Sequence, residues 1–307
     1  YQFLYHELLP AIETVQRLGY TDFDADFLDS LIEGWATHCE EVWLPINLVG
    51  DRKGLKFEDG KITMPQEFKD AYRQGIDEGW LSTTCEPEHG GMGVPLFFQA
   101  VTWAEFGTSA CMALSVLPAL SIGVYEVLVK HGRQDLIDYF ATNLASGEWS
   151  GTMCLTEPHA GTDLGIIETK AIPQDDGTYR LSGSKCFITY GEHDMAENIV
   201  HLVLAKAPGG PGGTRGISLF LVPKFLSEDW QSGGLEGISH SLTSEHNGVT
   251  CSGTEEKMGL HASPTCVMNL DDSVGWLVGP LHGGMPLMFE MMNRERLATG
   301  LMGVGLA

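Results

Sequence analysis

The sequence is poor in basic residues. Its 18 Lys and Arg stand against 41 Asp and Glu, which gives a formal net charge of −23. A chain this acidic repels phosphate backbones, so its composition argues against nucleic-acid binding. A site for a phosphorylated ligand would have to be built locally, from backbone N–H groups and a few placed cations.

Disulfide, membrane and export signals are also missing. The seven cysteines are odd in number and form no CxxC pair, which favours reduced, buried thiols and predicts a cytoplasmic protein. No stretch approaches the length of a membrane span, and the first residues lack the pattern of a signal peptide. The chain opens at Tyr1 and stops at Ala307 within a helical pattern, so we expect a truncated chain.

Several common site signatures are absent as well. No GxGxxG opens a helix, no HExxH or GxSxG occurs, and residues 54–61 miss the phosphate-loop spacing by one residue. His240 and His246 flank a polar loop, but nothing supplies further ligands, so no metal site is expected. These absences argue against a Rossmann dinucleotide site, a zinc hydrolase and a serine hydrolase.

The order of the elements favours an α+β fold. Helical periodicity fills the first half, and after Gly147 it gives way to short β-branched runs separated by turn signals. A helical pattern returns at Leu287. We predict an N-terminal extension (1–24), an all-helical N-terminal domain (25–149), an antiparallel β-barrel or sandwich domain (150–280) and the first helix of a C-terminal helical bundle (281–307).

Two stretches carry the chemistry: GTMCLTEPHAGTD at residues 151–163 and KCFIT at residues 185–189. Either stretch alone could be an ordinary strand and turn, but the two occur together in a strand-rich segment, at the spacing found in the family that they resemble. With EPEHGGMGVP at residues 86–95 they resemble the acyl-CoA dehydrogenase family over nearly the whole chain. The resemblance is strongest to the long bacterial subfamily that includes 3-methylmercaptopropionyl-CoA dehydrogenase.

The resemblance implies FAD as the cofactor. A reducible flavin needs hydrogen bonds at its N1/O2 edge and at N5/O4, which hydroxyls and backbone N–H groups can supply. Thr156 would serve the first edge and Thr189 the second, while Phe187 packs against the ring, where many relatives have Trp. Tyr190 stands where many relatives have Asn. The resemblance assigns seven residues to FAD: Met153, Leu155, Thr156, Gly161, Thr162, Phe187 and Thr189.

The family removes an α proton and a β hydride from an acyl-CoA thioester, so a carboxylate base is required. Most members take it from a Glu that would lie beyond Ala307. A minority use a Glu on the first C-terminal helix, where Glu295 falls. Arg296 matches an arginine near the active site, and both Arg296 and Thr162 are predicted to contact substrate. Each charged residue could instead belong to a solvated helix face or a salt bridge.

The resemblance therefore implies FAD-dependent dehydrogenation of an acyl-CoA to the trans-2-enoyl-CoA. Electrons would pass to an electron-transfer flavoprotein, and the full-length protein would form a homodimer or homotetramer. Three alternatives stay open: an acyl-CoA oxidase that uses oxygen, an inactive truncated fragment, and a flavin-containing DNA-associated relative. The last needs a basic surface, which the net charge of −23 disfavours.

Overall fold

The computed structural model describes residues 1–227 and 245–307, with the side chains of residues 98–102 excepted. His240 and most of the polar loop around it lie outside the described residues. Helices come first, a sheet follows, and a long helix ends the chain. The α+β class and the order predicted from the sequence are confirmed. The predicted domain boundaries stay a prediction.

The helical part begins with a π-helical turn at Phe3–Leu8, and a second π-helical turn at Cys39–Trp43 joins two of its helices. Asp24 caps one helix by accepting a hydrogen bond from Phe27 N at 2.8 Å. A small hairpin, β1 (Lys56–Glu58) with β2 (Lys61–Thr63), interrupts the series. The helices are α1 (Ala11–Arg17), α2 (Ala25–His38), α3 (Leu44–Lys53), α4 (Gln66–Asp77), α5 (Leu96–His131), α6 (Gln134–Ser146) and, after the sheet, α7 (Gly284–Leu306).

Helix α5 is the central helix of the fold. It is broken at Cys111, whose φ of −153° and ψ of 90° are extended, and then continues through Pro118 to His131. The prediction that no stretch reaches the length of a membrane span is wrong, because one segment of α5 has both the length and the apolar composition of a span. Residues Trp103–His131 are apolar enough to span a membrane, but 72% of the apolar 18-residue window within this segment is buried inside the protein, as in the core helix of a globular fold.

The sheet is a closed ring with two flanking strands. Its ring runs β11, β5, β4, β6, β7 and back to β11, with β10 on β11 and β3 on β6. A two-stranded ladder joins β8 to β9. The strands are β3 (Trp149–Cys154), β4 (Lys170–Pro173), β5 (Tyr179–Thr189), β6 (Asn198–Lys206), β7 (Ile217–Pro223), β8 (Phe225–Leu226), β9 (Glu245–His246), β10 (Val249–Thr254) and β11 (Thr265–Val278).

Most strand pairs are antiparallel, as predicted, but β3 and β6 run parallel, and so does the short contact of β4 with β6 at Lys170 and Lys206. The sequence WSGTMC of β3 has neither alternation nor β-branched enrichment, and the strand is nevertheless buried on both faces. Gly151 lets it lie against α5, because a Cβ there would come within 2.7 Å of Val124 and 3.0 Å of the Ser121 Cα. Strand β3 thereby fixes the positions of Leu155 and Thr156, the two residues that follow its last residue, Cys154.

Candidate functional site

The structure brings the two motifs together. At the end of β3 the Thr156 carbonyl accepts a hydrogen bond from Cys186 N at 2.9 Å. The neighbouring Leu155 carbonyl accepts one from Lys185 Nζ at 3.0 Å. Residues 30 positions apart in sequence thus form one edge, and this edge carries the residues predicted to hold FAD.

A buried ion pair lies behind that edge. Lys185 Nζ is 2.9 Å from Glu157 Oε1, and the two side chains are 1% and 3% exposed. Burial works against ionisation of Glu157, but hydrogen bonds from Glu168 N, Thr169 and Lys185 hold the pKa of its carboxyl below the usual value. Glu157 and Lys185 both lie inside the two motifs, but the sequence alone indicates no role for either residue.

Phe187 protrudes from the same edge. One extra residue on β5 opposes β11 between the pairs Ile188–Cys266 and Lys185–Met268, which is a β-bulge. At the bulge Phe187 has a φ of +61°, a left-handed conformation that is uncommon for a bulky residue, and its side chain is 61% exposed. The bulge turns this ring outward, where a planar ligand could stack on it.

The hydroxyl groups predicted for FAD are available. Thr156 and Thr189 are half-buried at strand ends, and neither hydroxyl forms a hydrogen bond within residues 1–227 and 245–307. Gly161 and Thr162 are exposed in the loop after β3, where Gly161 approaches Thr156, while Met153 is half-buried in β3. Unpaired hydroxyls beside an exposed aromatic ring fit the polar edge and the face of a flavin.

Glu295 lies elsewhere, in a cavity of about 310 Å³ between α5 and α7. The cavity is lined mainly by apolar and small side chains, including Trp103, Met112 and Val116, and by none of the seven predicted FAD residues. Glu295 Oε1 is buried and has no hydrogen-bond partner among the described residues. Burial therefore raises the pKa of Glu295 to about 6, against the opposing effect of Arg294.

Arg296 does not share this cavity. Its guanidinium is exposed, lies 5.1 Å from the centre of the Phe289 ring, and donates to Asn293 Oδ1 at 3.0 Å. Arg294, which was not singled out from the sequence, lines the cavity beside Glu295 and pairs with Glu126 at 3.0 Å. The consecutive residues Arg294, Glu295 and Arg296 thus have different surroundings, which the sequence NRERL alone does not reveal.

The raised pKa of Glu295 predicts a pH-dependent stability. Between pH 4.5 and 6 the folded chain binds more protons than the unfolded chain, so this group makes stability fall as pH rises, by at most about 2 kcal/mol. We expect Glu295→Gln to match the parent chain near pH 4.5 and to be more stable at pH 7.5. Urea denaturation of both chains at the two pH values measures this, and an equal difference at both would contradict it.

No cluster of three or more His, Cys, Asp or Glu side chains that could hold a metal ion occurs in residues 1–227 and 245–307. The polar groups of the site are instead hydroxyls, backbone groups and one buried ion pair. Such a set suits an organic cofactor better than a metal ion.

Comparison with known proteins decides the family. Residues 56–148 match the acyl-CoA dehydrogenase N-terminal domain, and residues 152–273 match the acyl-CoA dehydrogenase middle domain. The chain belongs to the acyl-CoA dehydrogenase family. The resemblance drawn from the two motifs is thereby confirmed.

Several family members are similar over nearly all of this chain. The 3-methylmercaptopropionyl-CoA dehydrogenase of Ruegeria pomeroyi is 42% identical over 298 residues, which are 97% of this chain and 48% of that protein. A butyryl-CoA dehydrogenase of Syntrophomonas wolfei is 37% identical over 301 residues, which are 94% of this chain and 47% of that protein. The chain spans about half the length of the curated relatives it matches.

Solved acyl-CoA dehydrogenase structures share the fold. The enzyme from Geobacillus kaustophilus superposes with a TM-score of 0.71 at 22% identity, over 92% of this chain and 66% of that one. An acyl-CoA dehydrogenase complexed with FAD from Bacillus anthracis superposes with a TM-score of 0.71 at 22% identity, over 92% of this chain and 42% of that chain.

Proposed function

We propose that the full-length protein is an FAD-dependent acyl-CoA dehydrogenase that converts an acyl-CoA thioester to the trans-2-enoyl-CoA. The observation that carries this proposal is the edge on which the GTMCLTEPHAGTD and KCFIT segments meet, with Phe187 exposed and the Thr156 and Thr189 hydroxyls unpaired. The edge offers the face of the Phe187 ring and the hydroxyl donors of Thr156 and Thr189 to one planar cofactor.

Seven residues would hold FAD. Thr156 and the backbone at Leu155 would donate to the N1/O2 edge, Thr189 would donate at N5/O4, and Phe187 would pack on the ring. Gly161 and Thr162, exposed in the following loop, would lie at the pyrophosphate, and Met153 would lie beside the ring. When bound, FAD accepts the β hydrogen of the substrate as hydride.

The cavity between α5 and α7 would take the acyl chain. Its lining is mainly apolar, and its volume of about 310 Å³ is at the lower end of the range for ligand pockets. Glu295 would remove the α proton, since a carboxyl with a pKa of about 6 is a stronger base than an ordinary glutamate and is still mostly ionised at neutral pH. The exposed Arg296 guanidinium, like Thr162, would contact the CoA portion of the substrate.

Further features support the wider assignment. All seven cysteines are free and buried, in keeping with the proposed cytoplasmic location. Leu297, Val304 and Leu306 expose large apolar side chains on α7, a surface that further helices or a second subunit would cover in the proposed homodimer or homotetramer. An electron-transfer flavoprotein is the proposed electron acceptor.

Product analysis tests the proposed reaction. The full-length protein is mixed with each of a series of acyl-CoAs and either a ferricenium salt without oxygen or oxygen alone, and the masses of the CoA esters are determined by mass spectrometry. We expect a product lighter by two hydrogens with ferricenium and little with oxygen. Equal turnover with oxygen, accompanied by hydrogen peroxide, would favour the oxidase, and no product with either acceptor would contradict the dehydrogenase.

A further inference from the structure

We infer that the buried Lys185–Glu157 pair is the positioning element that holds the two FAD-binding segments in register. This inference rests on the proposed binding of FAD at the edge formed by residues 155–156 and 185–189. Neither side chain would touch the cofactor itself. The pair would act through the backbone that presents Thr156 and Phe187.

Strand pairing alone leaves these segments loosely connected. Within the described part of the sheet, β3 pairs only with β6, and β5 pairs with β4 and β11, so no ladder joins β3 to β5. Beyond the end of β3 the connection consists of Cys186 N donating to Thr156 O and of the Lys185 ammonium, which bonds both Leu155 O and Glu157. Lys185 therefore supplies, through its side chain, hydrogen bonds between two segments that no strand ladder connects.

Glu157 anchors this connection from the other side. Its carboxylate accepts hydrogen bonds from Lys185 Nζ at 2.9 Å, Glu168 N at 2.7 Å, Thr169 N at 3.0 Å and Thr169 Oγ1 at 2.5 Å. Three of these bonds end on Oε1 and one on Oε2, so the carboxylate is held at both oxygens. The loop that leads to Gly161 and Thr162 starts from this fixed point.

The orientation of the bonds explains how the pair would act on FAD. Lys185 and Cys186 bind the carbonyls of Leu155 and Thr156, and the Thr156 hydroxyl stays unpaired and half-buried. Lys185 also fixes the start of the bulge that turns Phe187 outward. One ammonium thus sets the positions of groups proposed for the ring face and for the N1/O2 edge.

A second buried pair supplies a matched control. Lys224 Nζ is 2.6 Å from Glu192 Oε1, and the two side chains are 12% and 5% exposed. This pair belongs to the same β region but makes no hydrogen bond to any of the seven predicted FAD residues. Loss of either pair should affect folding, and only loss of the first should affect the bound flavin.

The test uses full-length protein, stripped of flavin and titrated with FAD while flavin fluorescence is followed. The variants are Lys185→Met, the double variant Lys185→Met/Glu157→Leu, and Lys224→Met as the control. The double variant matters because replacing both partners of a buried pair by apolar residues is often tolerated in folding, even where removing one is not. The midpoint potential of the bound flavin is the second readout.

We expect the folded double variant to bind FAD at least about tenfold more weakly than the parent, with a changed midpoint potential; a loss of about 10- to 100-fold is usual at metal sites when the groups that orient the ligands are removed. Lys224→Met should bind FAD as the parent does. A folded double variant with the parent's affinity and potential would overturn the inference, as would an equal loss in Lys224→Met. A parent protein that binds no FAD would overturn the proposed function as well. Failure of the proposed function is thus seen in the parent protein, and failure of the inference alone is seen only in the variants.

Discussion

In the full-length protein, Glu295→Gln should slow the reduction of bound flavin by acyl-CoA about 10²- to 10⁴-fold, the usual contribution of a general base. Glutamine keeps the shape of the side chain but cannot take up the α proton. The rate constant is measured by stopped-flow absorbance at saturating substrate. Substrate binding should change little, so the loss should appear in the rate constant rather than in the apparent Kd.

The reason lies in the surroundings of Glu295. Its Oε1 is buried without a partner among the described residues, in a cavity lined mainly by apolar side chains, and its pKa is raised to about 6. A carboxylate used only to hold helix α7 would be paired, as Glu290 of the same helix is with Lys130 and His131 of α5. Glu290→Gln is therefore the matched control and should leave the rate unchanged. An unchanged rate in Glu295→Gln would rule out Glu295 as the base.

Gly151→Ala should destabilise the chain by up to about 3 kcal/mol, the upper range for overpacking a filled core. The added Cβ would lie 2.7 Å from Val124 and 3.0 Å from the Ser121 Cα, and a backbone atom cannot rotate away. Gly151 N also donates to Ser121 Oγ at 3.0 Å, so strand β3 cannot simply move off α5. Thermal denaturation of the two chains measures the loss.

Gly253→Ala is the control for this change. Gly253 is also a strand glycine, but a Cβ there meets nothing within 4 Å. It should alter stability by no more than about 0.5 kcal/mol, as is usual for a substitution away from packed features. Equal effects at positions 151 and 253 would show that the close contact between β3 and α5 does not limit packing.

The sequence predicted the fold class because helical and strand periodicities lie in separate parts of the chain. Strands β5, β6 and β7 are rich in β-branched or aliphatic residues, and all three lie within the segment predicted to form strands, residues 150–280. Strand β3 has no strand pattern of its own, because its Ser, Gly and Thr residues do not alternate with apolar ones; it is held by α5 on one side and β6 on the other.

The candidate site was only partly visible in the sequence. The motifs indicated Thr156, Thr189 and Phe187, and the structure places all three at one edge, while their contacts with FAD remain proposals. The ion pair that joins the motifs was not foreseen, because Glu157 and Lys185 are 28 residues apart and their contact depends on how the β sheet closes. The cavity around Glu295 could not be predicted either, since it exists only where α7 returns to α5.

The most direct measurement is an anaerobic titration of the full-length, FAD-loaded protein with a series of acyl-CoAs, followed by the visible absorbance of the flavin. The proposed function predicts that at least one acyl-CoA bleaches the flavin band and leaves the matching 2-enoyl-CoA. A yellow protein that no acyl-CoA bleaches would contradict the dehydrogenase assignment. A protein that cannot take up FAD would contradict the roles proposed for Thr156, Thr162 and Thr189.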